Sequence, residues 1–290
     1  MNSRRTFIKQ AGLAVAGAAI LPYYACSPAT AKSVGIQLYT LRDLLPKDVK
    51  RVIQKVAQIG YKKVETYGYT LESGFWGIDA KSFKALLDDN GLKAPSGHFG
   101  LDEYIKTGDK EILKPLIAGA AALNMEYFTC PYLSEDLRTN LDDYKKVAAR
   151  LNEAANLCKE SGIVMAYHNH DFEFVKYGDS TGYDILLAET DKNLVQFEMD
   201  LYWVVRSGND PVALFEKHPG RFVMWHVKDM DKVNNTINTE VGNGTIDFKA
   251  IHKHAAKAGL KHLIVEQENF SIDPYESIKK SFEYVNHQLV

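Results

Sequence analysis

Ile163-Val164-Met165-Ala166-Tyr167 runs directly into His168-Asn169-His170. It is a short apolar run of strand character that closes on two imidazoles. Three later runs repeat the pattern: Leu194-Val195-Gln196-Phe197 leads to Asp200, Phe222-Val223-Met224-Trp225 to His226, and Leu263-Ile264-Val265 to Glu266. All four end in side chains that can hold a divalent metal. Strand ends spaced a βα unit apart in sequence converge on one point only where the sheet closes on itself.

The same rhythm extends outward from these runs. Strand-like stretches begin near Val34, Lys62, Lys93, Glu126, Ile163, Leu194, Phe222 and His262, with amphipathic stretches such as 49–59, 82–90 and 141–161 between them. In the last of these, Tyr144, Val147, Ala148, Leu151, Ala155 and Cys158 recur at three- and four-residue steps and mark one buried helical face. Gly60, Gly91, Gly162 and Gly259 stand where the helices should end, as left-handed caps. Strands and helices alternating every roughly 30 residues predict a (β/α)8 barrel. The rival, a doubly wound open sheet, usually carries a glycine-rich phosphate turn after its first strand. Gln37-Leu38-Tyr39-Thr40-Leu41-Arg42 is nothing like one. No linker divides residues 33–290, which read as a single domain.

A 290-residue chain with 46% hydrophobic residues can bury a full core. With 35 basic against 37 acidic residues it has no global field to recruit nucleic acid or anionic lipid. Cys26, Cys130 and Cys158 show no metal or disulfide spacing, and the last two read as core fillers. Residues 1–31 read as an export signal. Ser3-Arg4-Arg5-Thr6-Phe7-Ile8-Lys9 ahead of the apolar run 11–21 resembles the twin-arginine type, with an ordinary secretory signal as the alternative. Ala29-Thr30-Ala31 offers a cleavage site that would release a soluble periplasmic protein. Lipidation of Cys26 is the competing reading, although Tyr23-Tyr24-Ala25 makes a poor lipobox.

At the C-terminal level of a barrel, the active-site face, the chain places Tyr39, Glu65, His98, Tyr132, His168, His170, Asp200, His226, Lys228, Asp229, Glu266 and Glu268. Buried imidazoles and carboxylates are costly unless paired or bound to metal. The thiolate-free His/Asp/Glu set suits Mn²⁺, Co²⁺, Zn²⁺ or Fe²⁺. Each residue also has a bland reading: Asp200 as a helix cap, Glu266 as a partner of Lys228. In the loop 229–247, Gly242-Asn243-Gly244 suits a tight turn better than a phosphate cradle.

Over residues 33–290 the chain resembles the xylose isomerase-like barrel superfamily of sugar isomerases, epimerases, keto-inositol dehydratases and endonuclease IV. The resemblance rests on Val64-Glu65, Gly97-His98, Glu198-Met199-Asp200, Trp225-His226-Val227-Lys228-Asp229, the 242–247 loop and Ile264-Val265-Glu266. It implies a divalent-metal enzyme with Asp200, His226 and Glu266 as three of four ligands. Many members carry a glutamate at the fourth position, where this chain has His168. Many epimerases also carry a histidine where it has Trp203. Both departures weaken the two-carboxylate machinery of epimerisation, and Glu173 in the next loop is a candidate replacement carboxylate.

The expected chemistry is removal of a proton beside a substrate carbonyl to give an enediolate. Glu266, His170 and Lys228 are the candidate bases, and Glu65, His98, Trp76 and Trp203 the candidate substrate contacts. Tyr67, Phe75 and Phe99 are further aromatic candidates at the mouth. Reprotonation gives isomerisation or epimerisation of a keto-sugar. Loss of a β-substituent gives elimination, as in cleavage of 3-keto-glycosides, and needs a base on one face only. A non-catalytic exported sugar-binding protein is the alternative of another class. A DNA-repair nuclease is disfavoured by the balanced charge. The expected partner is a small carbohydrate, and the oligomeric state stays open.

Overall fold

The structure, a computed structural model, describes residues 33–290. The export signal and the Cys26 anchor read from the sequence lie outside the described residues. Eight strands form the frame: β1 (Val34–Gln37), β2 (Lys63–Tyr67), β3 (Lys93–His98), β4 (Tyr127–Cys130), β5 (Val164–His168), β6 (Val195–Asp200), β7 (Phe222–Val227) and β8 (His262–Val265). Each pairs in parallel with its neighbours in sequence, and β8 pairs with β1 to close the barrel. The (β/α)8 expectation holds.

Boundaries move little. β2, β4, β5 and β6 each start one residue after the start read from the sequence. Before two of these strands the backbone still belongs to the preceding turn: the N–H of Ile163 bonds the carbonyl of Cys158, and that of Leu194 bonds Asp191. The helix Val49–Ile59 is opened by the Asp48 carboxylate and stopped at Gly60, whose φ of +124° suits glycine. A Cβ there would also lie 2.5 Å from the Phe282 ring. The helix Leu141–Glu160 is capped by Asn140 and buries the face predicted for it, Cys158 included.

Two apolar regions result from strand alternation. Outward residues such as Phe197 and Met199 join the main core beneath the helices. Inside the barrel a separate small cluster, including Tyr127, Ala166, Met224 and Ile264, forms a plug. Two residues further along the inward faces of β4, β5, β7 and β8 stand Thr129, His168, His226 and Glu266, all buried. A polar layer therefore lies directly on an apolar floor.

The loop after β7 wraps around one carboxylate. Asp229 accepts hydrogen bonds from the backbone N–H groups of Met230, Gly242, Gly244 and Ile246 at 2.9–3.1 Å. A Cβ at Gly244 would meet the Met230 carbonyl at 2.2 Å, so close backbone approach requires glycine there. The amides of this turn are thus engaged from within, in keeping with the tight-turn reading.

Candidate metal centre and substrate cavity

Four side chains from adjacent strands meet at the top of the barrel: His168 of β5, Asp200 of β6, His226 of β7 and Glu266, the residue after β8. All are buried, and one ligand atom from each lies within 4.8 Å of the others. Local bonding aims these atoms. His168 Nδ1 faces the carbonyl oxygen of Pro131 at 3.2 Å and must donate to it, which leaves the Nε2 lone pair free. Asp200 Oδ1 caps the helix Leu201–Arg206 by accepting the N–H groups of Tyr202 and Trp203. The helix-cap reading of Asp200 holds for one oxygen, and the other, Oδ2, is left facing the centre. Asn169 bolts β5 to β6 by accepting the N–H of Asp200 at 3.1 Å.

His168 Nε2 and Asp200 Oδ2 are buried, 3.6 Å apart, and neither has a hydrogen-bond partner in the protein. Unpaired buried polar atoms are costly, and two of them converging with an imidazole and a carboxylate fit a divalent cation. The remaining donors are His226 Nδ1 and Glu266 Oε2, 3.1 Å from each other. Two nitrogens and two oxygens without sulfur match a borderline metal.

A second layer lies against this one. His226 Nε2 is 2.7 Å from Glu65 Oε2, and the same oxygen accepts from Gln37 at 2.8 Å. His98 Nε2 reaches Glu198 at 2.7 Å and Glu65 at 3.2 Å. Burial alone would raise the Glu65 carboxyl, but His98 and His226 outweigh it and hold it well below the usual carboxylate range. Burial likewise pulls the His98 imidazole down, while Glu65 and Glu198 more than offset this and lift it to about 9. Glu65 is therefore a support for His226, fully buried and away from the cavity wall, rather than the substrate contact expected. Replacing it by glutamine is expected to weaken divalent-metal affinity about 10- to 100-fold, measured by calorimetric titration of the metal-free protein with Mn²⁺. A change under twofold would show that His226 is oriented without it.

Glu198 belongs to the same layer and carried no role in the sequence reading. Its signal was available: two residues before Asp200 on one strand is the same face.

Above the centre opens a cavity of about 420 Å³ lined by Tyr39, Tyr67, Gly68, His98, Gly100, Pro131, Tyr132, His168, His170, Trp203, Glu266 and Glu268. Trp203 and His98 thus stand where a substrate would touch them. Trp76 does not: it packs behind Tyr67 with ring centroids 5.1 Å apart. Phe75 and Phe99 are core residues, 0% and 2% exposed, because their rings stack on Phe83 and Phe128 instead of facing the mouth.

The three candidate bases separate. Lys228 contacts Glu266 at 3.4 Å, Asp200 at 3.9 Å and also Glu268, and its ammonium lies 5.0 Å from the centre of the Trp203 ring. Burial would lower it, yet the three carboxylates hold it above its ordinary value. It remains a cation and is no base. Glu266 is raised by burial but held well below the carboxylate range by Lys228 and His226, as suits a ligand. His170 lines the cavity among Tyr132, Phe172 and Trp203, and its Nδ1 has no partner. Burial, helped by His168 and Lys228, pushes it well below the usual imidazole range, so it is neutral.

Glu173 is not a replacement catalytic carboxylate. It is fully buried, accepts from the Tyr167 hydroxyl at 2.7 Å and from the His170 N–H at 2.9 Å, and so positions the His170 backbone. Burial raises its carboxyl to about 8. A raised carboxyl keeps its proton in the folded state after the unfolded chain has lost it, so its contribution to stability declines as pH rises from about 4.5 to about 8. Glu173→Gln is expected to flatten that decline in urea unfolding midpoints measured across the window. An unchanged slope would place the titration elsewhere.

Comparison with known proteins agrees with the architecture. A family model described as xylose isomerase-like TIM barrel matches residues 53–287. The inosose dehydratase of Clostridium beijerinckii is 27% identical over 168 residues, covering 51% of this chain and 56% of that protein. The chain thus matches little more than half the length of that relative. The inosose dehydratase of Geobacillus kaustophilus is 23% identical over 274 residues, 81% of this chain and 86% of that one. Among solved structures, a sugar phosphate isomerase/epimerase from Parabacteroides distasonis is 30% identical with a TM-score of 0.76, covering 89% of this chain and 95% of that chain.

Proposed function

The chain belongs to the xylose isomerase-like TIM barrel family, and on that footing we propose that it is a divalent-metal-dependent enzyme of the sugar isomerase/epimerase or lyase type. Its reaction removes a proton beside the carbonyl of a keto-sugar or 3-keto-glycoside, with elimination as the favoured outcome. The observation that carries this reading is His170, an unpartnered neutral imidazole on the cavity wall that stands outside the four candidate ligands. Epimerisation through two bases needs one on each face of the carbon, and the other cavity carboxylates, Glu266 and Glu268, are both tied to Lys228. The names of the dehydratase relatives point to the same lyase-type reaction.

His168, Asp200, His226 and Glu266 are the residues that would hold the ion. When bound, a divalent cation supplies Lewis-acid polarisation of a substrate carbonyl. His170 takes the proton from the carbon next to that carbonyl, and the electrons of the broken C–H bond form a C=C bond. The bond from the β-carbon to its oxygen substituent then breaks. His98 commits its Nε2 to Glu198 and Glu65, which leaves its Nδ1 edge as donor to the departing oxygen. Lys228 keeps Glu266 charged and holds Glu266 and Glu268 in place. Trp203 presents its ring to the sugar.

Metal-loaded protein incubated with 3-keto-glycosides and free ketoses in D₂O tests the reading. Release of the aglycone from the keto-glycoside is the expected result. Deuterium on the α-carbon of recovered sugar without release would favour isomerase or epimerase action instead. Absence of both deuterium uptake and aglycone release would sink the proposal. Export through the twin-arginine route is part of the same reading, and retention of an Arg4→Lys, Arg5→Lys double variant in the cytoplasm on cell fractionation is the outcome that supports it.

A further inference from the structure

Among the described residues, the aromatic side chains that stand open to solvent are Tyr39 and Tyr132, 39% and 44% exposed, and both lie on the lip of the cavity. Each ring is held by an arginine. The Arg42 guanidinium lies 4.7 Å over the Tyr39 ring while donating to the carbonyl oxygens of Tyr39 and Glu268 at 3.2 and 3.0 Å. Arg138 lies 5.6 Å over the Tyr132 ring, donates to its hydroxyl at 3.2 Å and is anchored on the Leu133 carbonyl at 2.9 Å. Two large apolar faces are thus kept in water in fixed orientations, which ordinary packing does not require.

Tyr39 follows β1 and Tyr132 follows β4, with β2 and β3 between them around the ring. On that intervening wall the strand ends contribute Tyr67 and His98, and the residues beyond them that line the cavity are glycines: Gly68 after β2 and Gly100 after β3. Gly68 has a φ of +70° and is required by its backbone. Gly100 has no positive φ, and a Cβ there would meet nothing within 4 Å. Its missing side chain therefore leaves space, not backbone freedom. The result is a slot with an aromatic ring on each side and two positions without side chains on the wall between, above the centre where the chemistry is placed.

We propose that this mouth is a second subsite, which takes the aglycone ring of an uncharged glycoside, with Tyr39 and Tyr132 as stacking platforms and Gly100 as the residue that keeps the slot open. The inference rests on the glycoside reading given above and adds that the substrate has two rings. An uncharged ring fits because both arginines are engaged by carbonyls and rings, and the cavity carries the carboxylates of Glu266 and Glu268. A pyranose or an aromatic aglycone would present the same flat, apolar face to tyrosine.

The test measures calorimetric binding of methyl, phenyl and glucosyl β-glucosides, as unreactive probes, to the full-length metal-loaded protein. One stacked ring is worth up to about tenfold in affinity, so the expected result is a phenyl or glucosyl preference over methyl of that order. A preference for either ring supports the subsite and identifies the ring. In Gly100→Leu and in Tyr132→Ala that ratio is expected to fall toward one. A wild-type ratio near one, or a ratio that survives both substitutions, overturns the proposal. The outcome is separable from the lyase reading. Ring preference without turnover of 3-keto-glycosides would sink only the lyase. Turnover indifferent to the aglycone, with no ring preference in binding, would sink only the subsite.

Discussion

Replacing His168 by alanine is expected to abolish tight divalent-metal binding and to cut turnover by about 10³-fold or more. A cation that polarises a carbonyl takes several kcal/mol off the barrier, and each 1.36 kcal/mol is a factor of ten. The expectation follows from geometry: His168 Nε2 is oriented by the donation of Nδ1 to Pro131 and has no other use in the protein. Asp200→Asn makes the independent check. Its amide oxygen can still cap the helix Leu201–Arg206 through the Tyr202 and Trp203 N–H groups, while the anionic oxygen facing the centre is lost. Metal affinity should collapse in both variants with the fold retained by circular dichroism. Unaltered Mn²⁺ affinity in both would remove the metal centre from this site and return the non-catalytic sugar-binding reading to first place.

His170→Gln separates the base from the metal. General-base catalysis contributes about 10²- to 10⁴-fold, so kcat should fall by that range while Mn²⁺ affinity stays within a few-fold of wild type. Deuterium uptake from D₂O should fall in step, because the lost step is proton removal itself. Glu266→Gln should behave differently. Its carboxylate is clamped between Lys228 and His226 among the four candidate ligands, so activity and metal binding should be lost together. If H170Q exchanges deuterium as fast as wild type, the base lies elsewhere and the one-sided elimination argument fails with it.

Much of this was legible before the structure. The inward set of His168, Asp200, His226 and Glu266 follows from where apolar runs stop, and the barrel follows from their spacing. The aromatic assignments were less secure, because a ring at a strand end can turn to either side. Phe75 and Phe99 turned into the core, while Tyr39 and Tyr132 turned to the lip. The competing bland and functional readings of Asp200 proved compatible, since a carboxylate has two oxygens and the helix cap uses one.

Period-two alternation and βα spacing are properties of contiguous residues, which is why the closed barrel and its ring of ligand-type side chains could be read along the chain. Protonation and reach are set by partners brought together from afar. Glu65 meets Gln37 across 28 residues and His226 across 161, and His98 meets Glu198 across 100. Those contacts turned Glu65 from a substrate contact into a support. Three carboxylates fixed Lys228 as a cation, and burial left His170 neutral and unpaired. The strand ends that could hold a metal were therefore written in the order of residues. Which of their neighbours can accept a proton was decided by folding, because electrostatic environment depends on three-dimensional proximity and the exclusion of water.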